Sequence, residues 1–140
     1  MLETPPPAMP PPSHTLLTGG PFSSLTGPYY AHCAEDGRYS LLIRIENMHL
    51  NRGGSVHGGM LLAISDNAHI GAVKSATGGV MLSTLSLQCD FIGLAGQGWL
   101  EATAWISRKT SALIFTSGEI RARGELIMTS SGIIKLLGAK

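Results

Sequence analysis

A chain of 140 residues, 44% apolar and only 14% charged, is long enough for one domain with a buried core but carries a thin surface charge. That scarcity points to apolar area buried between subunits, so an oligomer is expected before any motif is read. A formal net charge of +1, with no run of Lys and Arg interleaved with aromatics, argues against nucleic acid as a partner.

Residues 1–14 contain Pro5, Pro6, Pro7, Pro10, Pro11 and Pro12, which remove backbone donors and favour extended, solvated chain; a disordered tail is expected, ahead of a proline-rich ligand for a recognition module. A single domain is expected over residues 15–140. Cys33 and Cys89 lie far apart and outside any metal-ligand spacing, which suits reduced thiols in a cytoplasmic protein. No apolar run approaches the roughly 20 residues that span a bilayer, and the basic-then-apolar order of a signal peptide is missing, so neither membrane insertion nor export is expected.

From Gly27-Pro28 the chain becomes periodic. Tyr39 to Glu46 sets Leu41, Ile43 and Ile45 against Leu42, Arg44 and Glu46, the alternation of a first strand with one buried face. Gly58 to about Ala76 is rich in Ala, Leu, Ile and Met, contains no proline and ends before Thr77-Gly78-Gly79; it is predicted to be a buried helix. Four alternating segments follow: Val80 to Phe91, Trp99 to Ile106, Ala112 to Ala122 and Leu126 to Leu137, the last two joined by a tight turn at Arg123-Gly124. In the first of these, Met81, Ser83, Leu85, Leu87, Cys89 and Phe91 oppose Leu82, Thr84, Ser86, Gln88 and Asp90. Gly93 to Gly98 reads as a turn between two antiparallel strands, since no Lys-Ser/Thr follows to make it a nucleotide loop. The order is α+β, an antiparallel sheet with one long helix packed on it.

The residues with chemistry cluster at the start of that helix. Gly58 and Gly59 place unpaired backbone N–H groups and the positive end of the helix dipole where an oxygen carrying negative charge could approach without meeting a Cβ. The same glycines could merely ease the entry into the helix. Asp66 follows Gly58 by eight residues, so the two lie about 12 Å apart along the axis at about 1.5 Å per residue. One reacting carbon cannot touch both, because a general base works within about 3 Å of its proton. If both serve one reaction, Asp66 comes from a second subunit whose helix runs oppositely across a two-fold axis. A satisfied structural carboxylate is the alternative. His57 and His69 have no companion ligands for a metal; His69, three residues past Asp66, is expected to be structural.

The run Asn51-x-x-Gly54-x-x-His57-Gly58-Gly59-Met60 with Asp66-Asn67-Ala68 resembles the hotdog-fold acyl-CoA thioesterases of the phenylacetate-pathway (PaaI) type. Thr84-Leu85-Ser86-Leu87-Gln88-Cys89-Asp90-Phe91, Gly98-Trp99-Leu100-Glu101-Ala102, Arg108-Lys109 and Gly118-Glu119-Ile120 are similar to later segments of the family in the same order. The resemblance implies a hotdog fold, an antiparallel sheet wrapped around one long central helix. It implies Asp66 as general base or nucleophile, the Gly58 N–H on the thioester oxygen, His57 orienting the thioester, Asn51 positioning water or substrate, and Thr84 beside the carboxylate. Gly59 would join the substrate site. Asn51, His57 and Gly58 would come from one subunit and Asp66 with Thr84 from its partner, in a homodimer at least and by family habit a homotetramer. Asn67 and His69 depart from the smaller residues usual there.

For the phosphates of coenzyme A, Arg108, Lys109 and the adjoining Thr110 are the expected rim, with Arg121 and Arg123 behind them; a solvated turn is the plain alternative. No cofactor and no metal are expected. The expected activity is hydrolysis of aryl- or medium-chain acyl-CoA; a hotdog hydratase or dehydratase and a non-catalytic acyl-CoA-binding module are the competing functions.

Overall fold

The computed structural model describes residues 9–79 and 81–137. Its elements are β1 (Thr15–Leu16), α1 (Pro21–Thr26), β2 (Tyr29–Cys33), β3 (Tyr39–Ile45), a 3-10 turn at Asn47–His49, α2 (Gly58–Thr77), β4 (Leu82–Phe91), β5 (Gly98–Lys109), β6 (Leu113–Ala122) and β7 (Glu125–Leu136). The strands form one antiparallel sheet in the order β1-β2-β3-β5-β6-β7-β4, and α2 packs on one face of it. The predicted α+β architecture, a sheet around one long helix, is the one observed.

Alternation drives the sheet and a one-sided stripe drives the helix. In β3, Leu41, Ile43 and Ile45 point inward and are almost wholly buried. On α2, Met60, Leu61, Ile64, Ala68 and Ala72 meet them and the inward Leu100, Ala102 and Ala104 of β5, while Val73 packs with Ile114 of β6 and Ile134 of β7. Each such Leu or Ile contributes roughly 1.5–3 kcal/mol by leaving water. Gly71 of α2 lies against Tyr39, whose ring any Cβ there would overlap. The helix stops at Gly78, which takes the left-handed conformation at φ 77° and returns its N–H to the Lys74 carbonyl. No helix among the described residues is long and apolar enough to cross a membrane.

Three features depart from the sequence expectation. First, β1, α1 and β2 precede the expected first strand, so Tyr39–Ile45 is an interior strand between β2 and β5. Of the expected proline-rich tail, residues 1–8 lie outside the described residues, while the His14 ring reaches Ser40 Oγ at 2.8 Å. Second, Gly93 to Gly98 is not a tight turn between neighbours, since β4 and β5 are separated by β6 and β7. The connection crosses the end of the sheet, tied down where Ile92 and Gly93 donate to the Ile127 carbonyl. Third, β4 does not alternate throughout. Its register against β7 jumps from Thr84↔Ile134 to Ser86↔Ile133, leaving Leu85 as an unpaired bulge residue, 56% exposed. Leu82 and Thr84 before the bulge, and Cys89 and Phe91 after it, therefore all face the helix.

Candidate functional site

The loop from Asn51 to His57 is organised by Asn51 itself. Its Oδ1 accepts the N–H groups of Gly53 at 2.9 Å and Ser55 at 3.2 Å, its Nδ2 donates to Ser55 Oγ at 3.0 Å, and its backbone N–H donates to the Ser55 carbonyl at 2.7 Å. This is the side-chain turn that Asn favours, closed by Gly54 at φ 86°. The amide expected to position water or substrate is thus engaged within its own loop. Val56 donates to the Ala95 carbonyl at 2.8 Å, which pins the loop to the β4–β5 crossover.

His57 caps α2. Its Nδ1 accepts the Gly59 N–H at 2.9 Å, and its carbonyl takes the N–H groups of both Met60 and Leu61. Glycine at position 59 leaves room for this, since a Cβ there would stand 3.0 Å from Nδ1 and push the imidazole back by a few tenths of an ångström. Of the two N–H groups expected to face the substrate, Gly59 is committed to the imidazole. The Gly58 N–H has no acceptor among the described hydrogen bonds. It lies beside the Phe91 ring, which would be 3.7 Å from a Cβ at Gly58. One open donor at a helix N-terminus, flanked by an aromatic ring and the exposed His57, can hold a carbonyl oxygen as it gains charge.

Asp66 sits half-buried on the same uninterrupted helix, on the side away from the core stripe. Thr84 Oγ1 donates to its Oδ1 at 2.6 Å, a short charge-assisted bond that leaves Oδ2 available. The Leu85 bulge makes this contact: without it, a strand presenting Cys89 and Phe91 inward would turn Thr84 outward. Asp66 with Thr84 makes one polar cluster, and His57 with Gly58 makes another, about two helical turns away.

His69, one turn beyond Asp66, does not hydrogen-bond to that carboxylate. It is 1% exposed, with Nδ1 2.6 Å from Thr116 Oγ1 and Nε2 2.7 Å from Ser130 Oγ. Gly118 and Gly132 make room for the ring, since a Cβ at either would come within 2.8 Å of His69 Nε2 or Thr116 Oγ1 respectively. Burial lowers its pKa to about 4, against a smaller opposite pull from Asp66. The ring is neutral and fastens α2 to β6 and β7.

Arg108, Lys109 and Thr110 lie at the far end of β5 from Gly98, where the sheet meets the site loop. Twelve strand residues put roughly 35–40 Å between the two ends of β5, so within one chain these residues do not gather with Gly58. Thr110 Oγ1 both donates to the Leu113 carbonyl and accepts the Leu113 N–H, each at 3.0 Å, closing the β5–β6 hairpin. Arg121 pairs with Glu119 at 2.9 Å. Among the described residues no group of three or more His, Cys, Asp or Glu could hold a metal.

A pocket of about 370 Å³ opens beside His57 and Gly59, walled by Phe22 and Leu25 of α1 and by Met48. Sequence reading missed these residues because they carry no polar chemistry. The signal that could have found α1 is Gly20-Pro21, a proline at the first helical position.

With this geometry in hand, a family model described as the thioesterase superfamily matches residues 53–128, more than half of the chain. A Pseudomonas aeruginosa protein whose name proposes an esterase is 29% identical over 125 residues, 86% of this chain and 92% of that protein. A Ralstonia eutropha phenylacetic acid degradation-related protein, whose title proposes a thioesterase, superimposes with a TM-score of 0.76 at 26% identity over 85% of this chain and 92% of its own. A point mutant of the Thermus thermophilus phenylacetic acid degradation protein PaaI gives 0.75 at 25% identity, over 84% of this chain and all of its own. The fold in common is the hotdog fold, as the resemblance implied.

Proposed function

The chain belongs to the thioesterase superfamily, and on that premise we propose that it hydrolyses acyl-CoA thioesters at sites shared between two subunits. One observation carries the reading: Asp66 and Gly58 stand on one continuous helix, about 12 Å apart. A single thioester meets both only when they come from different chains.

In such a site the Gly58 N–H of one subunit holds the thioester oxygen while Asp66 of the partner takes a proton from water, which attacks the carbonyl carbon. Alternatively, Asp66 attacks directly and water opens the resulting anhydride. Thr84 keeps the carboxylate aimed through Oδ1. The thiolate leaves with little need of a proton, since thiols ionise near pKa about 8.5. No Ser-His-Asp relay is required.

The free edge of β4 supports the pairing. It is ten residues long, pairs only with β7 among the described strands, and exposes Leu85 and Phe91, with Met81 exposed just before it. A free edge of that length calls for cover, and a second β4 across a two-fold axis would supply it. The same antiparallel placement would bring Arg108 and Lys109 of one subunit towards the Gly58 end of the other, where coenzyme A phosphates would emerge. A tetramer of two such dimers is the expected assembly, in a cytoplasmic protein of one domain.

The test is free-thiol release from a panel of acyl- and aroyl-CoAs. Asp66→Ala is expected to lower kcat by about 10²-fold or more. Equal turnover by both proteins would remove Asp66 from its role.

A further inference from the structure

We infer that His49, a buried histidine with no part in the proposed chemistry, is a positioning residue: acting through His57, it aims the Gly58 N–H at the thioester oxygen. The inference rests on the thioesterase reading above.

His49 ends the 3-10 turn Asn47–His49 and is 5% exposed. Its ring has a partner at each nitrogen, as a buried polar group requires. Nδ1 accepts the Glu46 N–H at 3.0 Å, so that nitrogen carries no proton; Nε2 therefore holds it and donates to the Thr26 carbonyl at 2.7 Å. The first bond closes the turn across three residues. The second satisfies one of the last carbonyls of α1, a group that a helix end leaves open. With the turn held in this way, the His49 carbonyl accepts the His57 N–H at 2.9 Å.

That last bond reaches the site. Leu50 and Val56 bridge just inside it, so His49 and His57 form the neck from which the Asn51 turn projects. The Gly58 N–H shares a peptide plane with the His57 carbonyl, and whatever fixes the backbone of His57 fixes the direction of this donor. Two backbone bonds do so: the N–H is held by His49, and the carbonyl by the N–H groups of Met60 and Leu61. The helix supplies the second; the turn at His49 supplies the first. A donor helps an oxygen that gains charge in the transition state only if it already points there, and a displacement of about 1 Å can cost about 10²-fold in rate. A loosened turn would therefore be felt in the chemical step more than in substrate binding.

Two substitutions divide the bonds of the ring. Asparagine puts its amide oxygen near the position of Nδ1 and can keep the turn, whereas glutamine reaches the position of Nε2 and can keep the Thr26 bond alone. In the full chain, His49→Gln is expected to lower kcat by about 10- to 100-fold with KM within about threefold of wild type, and His49→Asn to retain at least about a third of kcat. Ile114→Val, in the core cluster of Val73 and Ile134, is a less stable control whose kcat should not change. Calorimetry adds a readout without turnover: a trifluoromethyl ketone analogue of acyl-CoA, whose hydrate puts an oxygen at the donor, against a thioether that lacks this oxygen. His49→Gln should weaken the ketone by the same factor as kcat and the thioether by less than about threefold. Unchanged kcat and ketone affinity in His49→Gln would overturn the inference. So would equal losses for ketone and thioether, a kcat in His49→Asn as low as in His49→Gln, or a comparable fall in Ile114→Val. Wild-type protein that released no thiol from any ester would overturn the thioesterase reading, and the ketone-to-thioether comparison would still decide the role of His49.

Discussion

In the proposed site Asp66 carries the chemistry, and its surroundings are built by two neighbours with different tasks. Thr84 holds one carboxylate oxygen at 2.6 Å; Thr84→Val keeps the shape and removes the donor. We expect kcat to fall by about tenfold, well short of the loss from Asp66→Ala, because the carboxylate is misaimed and not removed. Thiol-release kinetics with all three proteins check this order. His69 serves the fold. Its pKa is lowered from 6.5 to about 4, so its stabilisation is complete above pH 6.5 and is lost as pH falls towards 4, where the unfolded chain binds a proton that the folded one refuses. At pH 5 the loss should be on the order of 2 kcal/mol relative to pH 7.5. Urea unfolding at the two pH values, wild type beside His69→Gln, measures it: the variant should be less stable at pH 7.5 but lack this part of the pH dependence. An equal pH dependence in both proteins would show that His69 titrates normally.

At the scale of elements, α2 was legible from its Ala-, Leu- and Ile-rich, proline-free composition and its glycine stop, and the strands after it from alternation that only β4 breaks. Helix Gly58–Thr77 ends where Thr77-Gly78-Gly79 said it should. The bulge at Leu85 was not legible, because a single inserted residue leaves the apolar count unchanged while flipping the face of everything before it. The short elements β1 and α1 were equally hidden: two and six residues, among prolines and glycines, carry no period. Of the candidate site, the juxtaposition of Asp66 and Thr84 followed from resemblance and is seen in the structure. The engagement of the Asn51 amide by its own loop and of the Gly59 N–H by His57 depends on side-chain rotamers that no spacing encodes. The contact of Gly71 with Tyr39 gives a further test. Gly71→Ala raises helix propensity by about 1 kcal/mol but drives a methyl into the Tyr39 ring. A net destabilisation of about 1–3 kcal/mol is expected, read from the shift of the urea midpoint at constant m-value. A rise in midpoint would mean that Tyr39 moves aside freely.

For the whole molecule, the central claim is that one chain holds two halves of different sites. Low charge, a long free β4 edge and a carboxylate two helical turns from the proposed oxyanion donor all ask for a second copy. Two single variants separate the halves. Asp66→Ala removes the proposed base, and Gly58→Pro removes the proposed donor N–H at the first helical position, where proline is well tolerated and where a Cβ would make only ordinary contact with Phe91. The most direct measurement mixes the two inactive proteins one to one, lets subunits exchange, and follows thiol release. In a mixed dimer one site has both defects and the other has none. Random pairing makes half the dimers mixed, so about a quarter of wild-type activity should return. Activity that stays at the level of the separate variants, with mixed dimers shown to have formed, would contradict the shared site.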